Sequence, residues 1–288
     1  MNSVKILLEQ AAARFVSLSK TPRLDAELLL CHVLKKNRTY LFAYPEKTLS
    51  PGEYQQWQDL LAQRCLQIPV AYLLGEKSFW DLDLMVNEHT LIPRPETELL
   101  VELALASCRG EWRSPSCLDL GTGSGAIALA IAKEKPDWKI SAVDFSYAAL
   151  EVAKINAEKN NIHNVDFFQS DWFSEVRGKF DIIVSNPPYL DGSDPYLLTE
   201  EIRHEPRSAL VADKNGLADI EKIMADARHY LKPEGMLLFE HGCEQGGAVR
   251  ELFSLYGYKF VKTLTDLAGL ERVTQGVFNP RENLSLHI

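Results

Sequence analysis

The sequence predicts an α/β chain: a doubly wound, mostly parallel sheet preceded by a small all-helical domain. Three observations predict it. From about residue 113 onward, apolar runs with strand character alternate with segments of helical periodicity, the pattern of βαβ units. Residues 1–75 show helical spacing and no β-rich or Gly-rich run. A Gly-rich turn, an Asp, an Asp-Trp pair and an Asn-Pro-Pro-Tyr each follow a strand candidate. They would therefore converge on the carboxyl edge of one sheet, where open α/β folds bind ligands.

The N-terminal elements come first. Val4, Leu7, Leu8, Ala11, Ala12 and Phe15 recur at helical spacing, as do Leu24, Leu28, Leu29, Cys31, His32 and Leu34. Ser50-Pro51 is an N-cap and first-turn pair for a third helix through Trp57, Leu60 and Leu61. The helical domain is expected over 1–75, ending near Gly75. Residues 76–93 change character: Phe79, Leu82, Leu84 and Val86 alternate with polar residues and a turn-forming Asn87-Glu88 follows. This predicts a β-hairpin linker. In Ile92-Pro93-Arg94-Pro95-Glu96-Thr97-Glu98, Pro95 suits the first turn of a helix and the acids suit its dipole. That leaves Arg94 without a structural task and makes it a candidate for substrate binding.

The third domain is expected over 94–288. Its strand candidates are 116–120, 139–144, 164–169, 180–185 and 235–240. Helices are expected at about 124–134, 146–160, 216–231 and 244–256. Two final segments, 258–264 and 271–278, read as a closing antiparallel pair.

Cys117-Leu118-Asp119-Leu120-Gly121-Thr122-Gly123-Ser124-Gly125-Ala126 is a strand, a Gly-rich turn and a small-residue helix start. It lacks the spacing of a dinucleotide fingerprint and the Lys of a P-loop. The Asp-x-Gly-x-Gly-x-Gly form resembles the first motif of S-adenosylmethionine (SAM)-dependent methyltransferases. Asp144 lies about 20 residues further on, at the end of the second strand, where a carboxylate can hold both hydroxyls of a ribose. An ordinary N-cap for the next helix is the competing use. Asp171 can accept from an adenine amine and Trp172 can cover its face.

Asn186-Pro187-Pro188-Tyr189 directly follows the apolar run 180–185. The Asn side-chain carbonyl and the Pro187 backbone carbonyl are two acceptors suited to one planar NH2 group. The two prolines fix the backbone that carries them, and Tyr189 offers a flat ring. The motif points to chemistry on an amide or exocyclic amine nitrogen.

Bulk properties bound the function. Of 288 residues, 46% are hydrophobic, enough for a sizeable core. No run reaches the length of a membrane span and the N-terminus lacks a signal-peptide plan. The five cysteines, Cys31, Cys65, Cys108, Cys117 and Cys243, are scattered and form no C-x-x-C pair. That argues for a reducing, cytoplasmic setting with no zinc site. The formal net charge is −9, which disfavours a duplex-DNA partner. The charge is uneven: nine basic and six acidic residues give 1–75 a net +3, leaving −12 for the remainder.

Taken together, these motifs resemble the HemK/PrmC family, the glutamine-N5 methyltransferases of peptide chain release factors. The matching segments are Ile92 to Glu98, Asp119 to Ala128, Ser170-Asp171-Trp172-Phe173, Ser185 to Tyr189, Glu205-Pro206, Glu240-His241-Gly242 and Glu271-Arg272-Val273-Thr274. The resemblance implies a Rossmann-like methyltransferase domain that binds SAM and releases S-adenosylhomocysteine. Gly121, Thr122, Gly123, Ser124, Gly125, Asp144, Asp171, Trp172 and Asn186 would form the cofactor site. Asn186, Pro187, Pro188 and Tyr189 would hold and activate the Gln of a Gly-Gly-Gln loop in a release factor, with no metal, membrane or nucleic acid taking part. Methylation of a ribosomal-protein Gln, DNA adenine-N6 methylation on a flipped base, and a non-catalytic SAM-binding module are the alternatives.

Overall fold

A computed structural model describes residues 3–107, 114–199 and 202–279. Cys108 lies outside these residues, as does the end of the domain expected to run to residue 288. Contacts group the chain into two units. One comprises residues up to Glu76 together with Pro195–His204; the other comprises Lys77–Asp194 and the chain from Glu205 onward.

The first unit is helical: α1 (Val4–Phe15), α2 (Pro22–Leu34), α3 (Arg38–Ala43), α4 (Pro51–Cys65) and α5 (Val70–Leu74). Its core joins Leu8 and Phe15 of α1, Leu29 and Leu30 of α2, and Trp57 and Leu61 of α4. Ser50 caps α4 through a reciprocal capping box with Glu53, which satisfies two of the N–H groups a helix start leaves bare. Asp25 on α2 receives the Arg64 guanidinium of α4 at 3.1 Å in a buried pair. The later segment Pro195–His204 belongs to this unit: Arg203 donates to Gln67, and a His204 ring nitrogen lies 3.2 Å from the Leu66 carbonyl. No periodicity announces that return.

The boundary falls just inside a hairpin of β1 (Glu76–Phe79) and β2 (Leu82–Met85), whose residues from Lys77 belong to the second unit. The hairpin's own turn falls at Trp80-Asp81, with Trp80 in the left-handed region, and the turn expected at Asn87-Glu88 follows β2, closed by the Thr90 N–H donating to the Asn87 carbonyl at 3.1 Å. A short 3-10 turn at Pro95–Thr97 leads into α6 (Glu98–Ala106). The main chain then runs β3 (Ser116–Leu120), α7 (Ala126–Glu134), β4 (Lys139–Asp144), α8 (Tyr147–Lys159), β5 (Val165–Gln169) and β6 (Phe180–Ser185). It continues through an irregular turn, α9 (Asp213–Gly216), then α10 (Ala218–Ala227), β7 (Leu231–Glu240), α11 (Gly246–Leu255), β8 (Tyr258–Thr265) and β9 (Glu271–Phe278).

The seven strands are ordered β5-β4-β3-β6-β7-β9-β8. β5 to β7 are parallel, and β9 and β8 close the sheet antiparallel. The fold is therefore the doubly wound, mostly parallel one that the alternation predicts. Buried side chains of β3, β4 and β6 alternate between two cores, one under α6 and α7 and the other under α10 and α11. β7 starts four residues earlier than the sequence suggests. Its register against β6 jumps between Leu231 and Met236, and Pro233, Glu234 and Gly235 fill the bulge, where Pro and Gly are tolerated within a sheet.

Candidate active site

The register of the parallel strands assembles the site. Leu120 pairs with Val143 and Ser185, and Ser185 pairs with Phe239. The residues one step beyond this rung are Gly121, Asp144, Asn186 and Glu240. Strand β5 adds Ser170, whose N–H donates to the Asp144 carbonyl at 3.0 Å. All five lie at the carboxyl ends of the strands, and Gly121, Asp144, Ser170 and Asn186 line a cavity of 460 Å³.

The Gly-rich turn is held from below. Asp119 is fully buried; its Oδ2 accepts from Thr122 Oγ1 at 2.7 Å and from the Ala128 N–H at 3.2 Å. This ties the loop to the first turn of α7. Gly121, Gly123 and Gly125 all adopt positive φ, open to glycine without the cost other residues incur. A Cβ at Gly125 would meet Leu129 at 3.0 Å and Ala153 at 3.2 Å, so this glycine also lets α7 and α8 approach. Thr122 and Ser124 have buried side chains, and the Ser124 carbonyl accepts from the buried Asn156. Both residues line the cavity.

Asp144 Oδ2 accepts from the Gly123 N–H and Oδ1 from the Ser146 N–H, both at 2.8 Å. Ser146, and not Asp144, caps α8, its Oγ accepting from the Ala149 N–H. A carboxylate has about four lone-pair positions, so each oxygen keeps capacity for a further donor. Burial raises the Asp144 pKa, against the two N–H bonds that lower it.

Trp172 adopts positive φ, and its ring packs over Gly121, where a Cβ would lie 3.4 Å away. Asp219 lines the same cavity as Trp172, and burial raises its pKa. Asp171 is exposed and pairs with Lys222 at 3.2 Å. Phe145, 71% exposed, lines the same cavity. Sequence reasoning missed Phe145 and Asp219. Phe145 was findable, because a large apolar side chain directly after a strand-end Asp has no core to enter. Asp219 carried no signal.

Asn186 and Tyr189 are half-buried and Pro187 is buried. Asn186 Nδ2 donates to Thr97 Oγ1 at 3.3 Å, and the Tyr189 hydroxyl lies 3.5 Å from Glu240 Oε1. The Tyr189 carbonyl accepts from Gln245 Nε2 at 2.9 Å. It is also crowded by Gly216, where a Cβ would sit 2.0 Å from that oxygen. Only glycine fits there. Glu240 is 1% exposed, with Oε2 unpartnered among the described residues. Arg94 is not idle, as the sequence suggested. It forms an ion pair at 2.5 Å with Glu205, whose side chain is fully buried and also accepts from the Ile92 N–H. Arg94 therefore has a structural task in holding the Pro-Arg-Pro segment, although it also lines the cavity. Among the described residues no cluster has the ligands for a metal.

These residues fit a nucleoside-bearing cofactor. Asp144 retains acceptor capacity, aromatic faces at Phe145 and Trp172 flank the cavity, and nothing lies within 4 Å of where a Gly123 Cβ would project. A doubly wound sheet with this loop and this strand-end motif is that of a Rossmann-like methyltransferase. The solved structure of a methyltransferase from Pyrococcus furiosus shares the fold, with a TM-score of 0.54 at 22% identity over 76% of this chain and 99% of that one. Residues 7–75 match the PrmC N-terminal domain family and residues 96–217 the methyltransferase small domain family. The release factor glutamine methyltransferase of Salmonella typhimurium is 52% identical over 263 residues, 91% of this chain and 94% of its own length. That of Escherichia coli is 49% identical over 259 residues, 90% of this chain and 93% of its own. The chain belongs to the release factor glutamine methyltransferase family.

The two buried carboxylates make stability pH-dependent. Burial pushes Asp119 up to about 7, against the Thr122 and Ala128 hydrogen bonds. Burial likewise pushes Glu240 up to about 7, against Thr97 and Arg272. Unfolded carboxylates titrate near pH ~4. Between there and about 7 the folded chain holds protons that the unfolded chain has released. Stability from these groups is thus present at acid pH and lost as pH rises through 7. Replacing Glu240 by Gln should flatten the pH dependence of the urea midpoint across that window; an unchanged slope would show that Glu240 ionises normally.

Proposed function

We propose that the chain methylates the side-chain amide nitrogen of the Gln in a Gly-Gly-Gln loop of a peptide chain release factor, using SAM. The observation that carries this assignment is Asn186-Pro187-Pro188-Tyr189 set on the same rung as Gly121 and Asp144. This shared rung supports a reading in which an NH2-accepting motif works beside a nucleoside site. Relatives of about half identity along nearly the whole chain bear the name release factor glutamine methyltransferase.

When bound, SAM supplies an electrophilic sulfonium methyl group. Gly121 to Gly125 receive its amino-acid end, Asp144 its ribose, and Asp171, Trp172 and Phe145 surround its base. An amide nitrogen is a poor nucleophile because its lone pair is delocalised into the carbonyl. Asn186 Oδ1 and the Pro187 carbonyl each accept one N–H of the Gln side chain. Two acceptors fix the amide plane, raise electron density on nitrogen and aim the lone pair. Alignment of this kind lowers a barrier by up to roughly 7–11 kcal/mol. Asn186 is neutral, in keeping with a reaction in which no base acts before transfer. The Tyr189 ring supports the amide face. Its hydroxyl is turned to Glu240, so Tyr189→Phe is the mild substitution and Tyr189→Ala the harmful one.

Asp144→Ala should weaken SAM binding by about 1–3 kcal/mol, the scale of a lost charge-assisted hydrogen bond. Calorimetry giving wild-type affinity for a folded mutant would remove Asp144 from the site. Asn186→Ala should lower the rate of methyl transfer at least about a hundredfold with little loss of thermal stability. Near-normal turnover would refute the gripping role.

Recognition of the intact factor falls to the helical unit, which carries no group with a catalytic use and a net charge opposite to that of the remainder. One Gln side chain offers a small fraction of the roughly 1,200–2,000 Å² that specific protein interfaces bury. A chain starting at Ser78 is expected to bind SAM and to methylate a short Gly-Gly-Gln peptide as poorly as the full chain does. Its kcat/KM on the whole factor should fall sharply through KM. Full efficiency on the factor would overturn the recognition role.

A further inference from the structure

Asn186-Pro187-Pro188-Tyr189 is fixed at its start by β6, because Asn186 directly follows the Ser185 rung. The two prolines carry no N–H through which the middle could be tied to a neighbour. The far end is held from outside the motif. Gln245 Nε2 donates to the Tyr189 carbonyl at 2.9 Å and to the Asn215 carbonyl at 3.1 Å, while Gln245 Oε1 accepts from the Gly242 N–H at 2.9 Å. One residue further on, the Leu190 N–H donates to the Leu210 carbonyl at 2.9 Å, and the Leu190 carbonyl accepts from the Ala212 N–H at 3.0 Å.

The orientation of the Gln245 amide follows from its partners. A backbone carbonyl only accepts and a backbone N–H only donates. Nε2 faces two carbonyls and Oε1 faces an N–H, so a flipped amide would set oxygen against oxygen and N–H against N–H. Both groups that Gln245 joins are stiff. Gly242 follows His241, whose N–H donates to the Arg272 carbonyl at 2.9 Å and whose ring Nε2 lies 2.8 Å from Thr274 Oγ1. On the other side, Lys214, Asn215 and Gly216 have φ of 55°, 56° and 81°, three successive residues in the left-handed region. That conformation is costly for residues with a Cβ and persists where the surroundings over-determine it. It brings Gly216 flush against the Tyr189 carbonyl: a Cβ there would lie 2.0 Å from that oxygen and 2.8 Å from Gln245 Nε2.

We propose that Gln245 is a positioning residue for methyl transfer: it braces the end of Asn-Pro-Pro-Tyr against the loop that follows β7, so that the Pro187 carbonyl and the Tyr189 ring stay aimed at the substrate nitrogen. This rests on the glutamine methyltransferase assignment. The left-handed turn at Lys214–Gly216 is the second half of the brace, because the same Gln245 NH2 group ties the Asn215 carbonyl to the Tyr189 carbonyl. Gln245 acts through the motif's backbone and is not among the residues lining the cavity.

The test is a double-mutant cycle on the full-length enzyme with an intact release factor. Rates of transfer from labelled SAM, SAM affinity and thermal midpoints are measured for wild type, Gln245→Met, Gln245→Glu, Asn186→Ala and the Asn186→Ala/Gln245→Met pair. Gln245→Met keeps the length of the side chain and removes its donors. It should lower kcat at least about tenfold, with KM for the factor and SAM affinity each changed by less than about twofold. Gln245→Glu keeps the shape and the acceptor for Gly242 but turns an oxygen toward the two carbonyls, so it should cost at least as much. In the Asn186→Ala background, Gln245→Met should cost less than about threefold further, because groups that act as one unit are not additive. A folded, SAM-binding Gln245→Met enzyme with wild-type kcat, a loss confined to KM, or an equal loss in both backgrounds would overturn the brace. Should Gln245→Met not fold, Gln245→Glu takes its place with the same expectations. Wild-type enzyme with no transfer to the factor would instead overturn the assignment of function. The brace is then judged by NMR on the free enzyme: the Pro187 and Tyr189 carbonyl carbon signals should move in the Gln245 variant, and signals that stay in place would overturn it.

Discussion

The site depends on one constraint, the shared register of four parallel strands. β4, β3, β6 and β7 reach the same rung at Val143, Leu120, Ser185 and Phe239. The next residue of each is therefore placed by backbone hydrogen bonding and by no side chain of its own. Gly121 turns the loop, Asp144 offers a carboxylate, Asn186 starts Asn-Pro-Pro-Tyr and Glu240 ends β7. Ser185 Oγ donates to the Leu120 carbonyl at 2.7 Å, a cross-strand tie one residue before Asn186. A slip of one residue in β6 would turn its side chains to the opposite face of the sheet and take Asn186 off the rung.

Around that rung the buried polar groups are arranged in pairs and chains. Asp119 fastens the Gly-rich turn to α7. Glu205 fastens Ile92 and Arg94. Gln245 holds the Tyr189 carbonyl and the Gly242 N–H together. Glu205 and Gln245 link segments distant in sequence, whereas Asp119 ties its loop to the helix that follows. Rigid loops suit a reaction whose barrier is lowered by alignment.

Much of this was legible in the sequence. Strand–helix alternation gave the sheet, because buried parallel strands read as short apolar runs. The Gly-rich turn, Asp144 and Asn186 were legible because strand ends in such folds carry the ligands. What was not legible was tertiary. The bulge at Pro233–Gly235 resembles a loop, since Pro and Gly punctuate both. The return of Pro195–His204 to the helical unit rests on Arg203 and His204, two polar contacts without period. Arg94 looked idle because its partner, Glu205, lies 111 residues away. Thr97 looked like part of a helix start, and only the folded chain brings it to Asn186.

In the proposed function, Asn186 Oδ1 and the Pro187 carbonyl together receive the substrate NH2 group. A crystal structure of the enzyme with S-adenosylhomocysteine and a bound Gly-Gly-Gln segment tests it most directly. The account predicts the Gln amide nitrogen within about 3 Å of both oxygens, with Asn186 Nδ2 still on Thr97. A Gln whose NH2 group points away from these acceptors, or whose carbonyl oxygen meets Asn186 Nδ2, would contradict it.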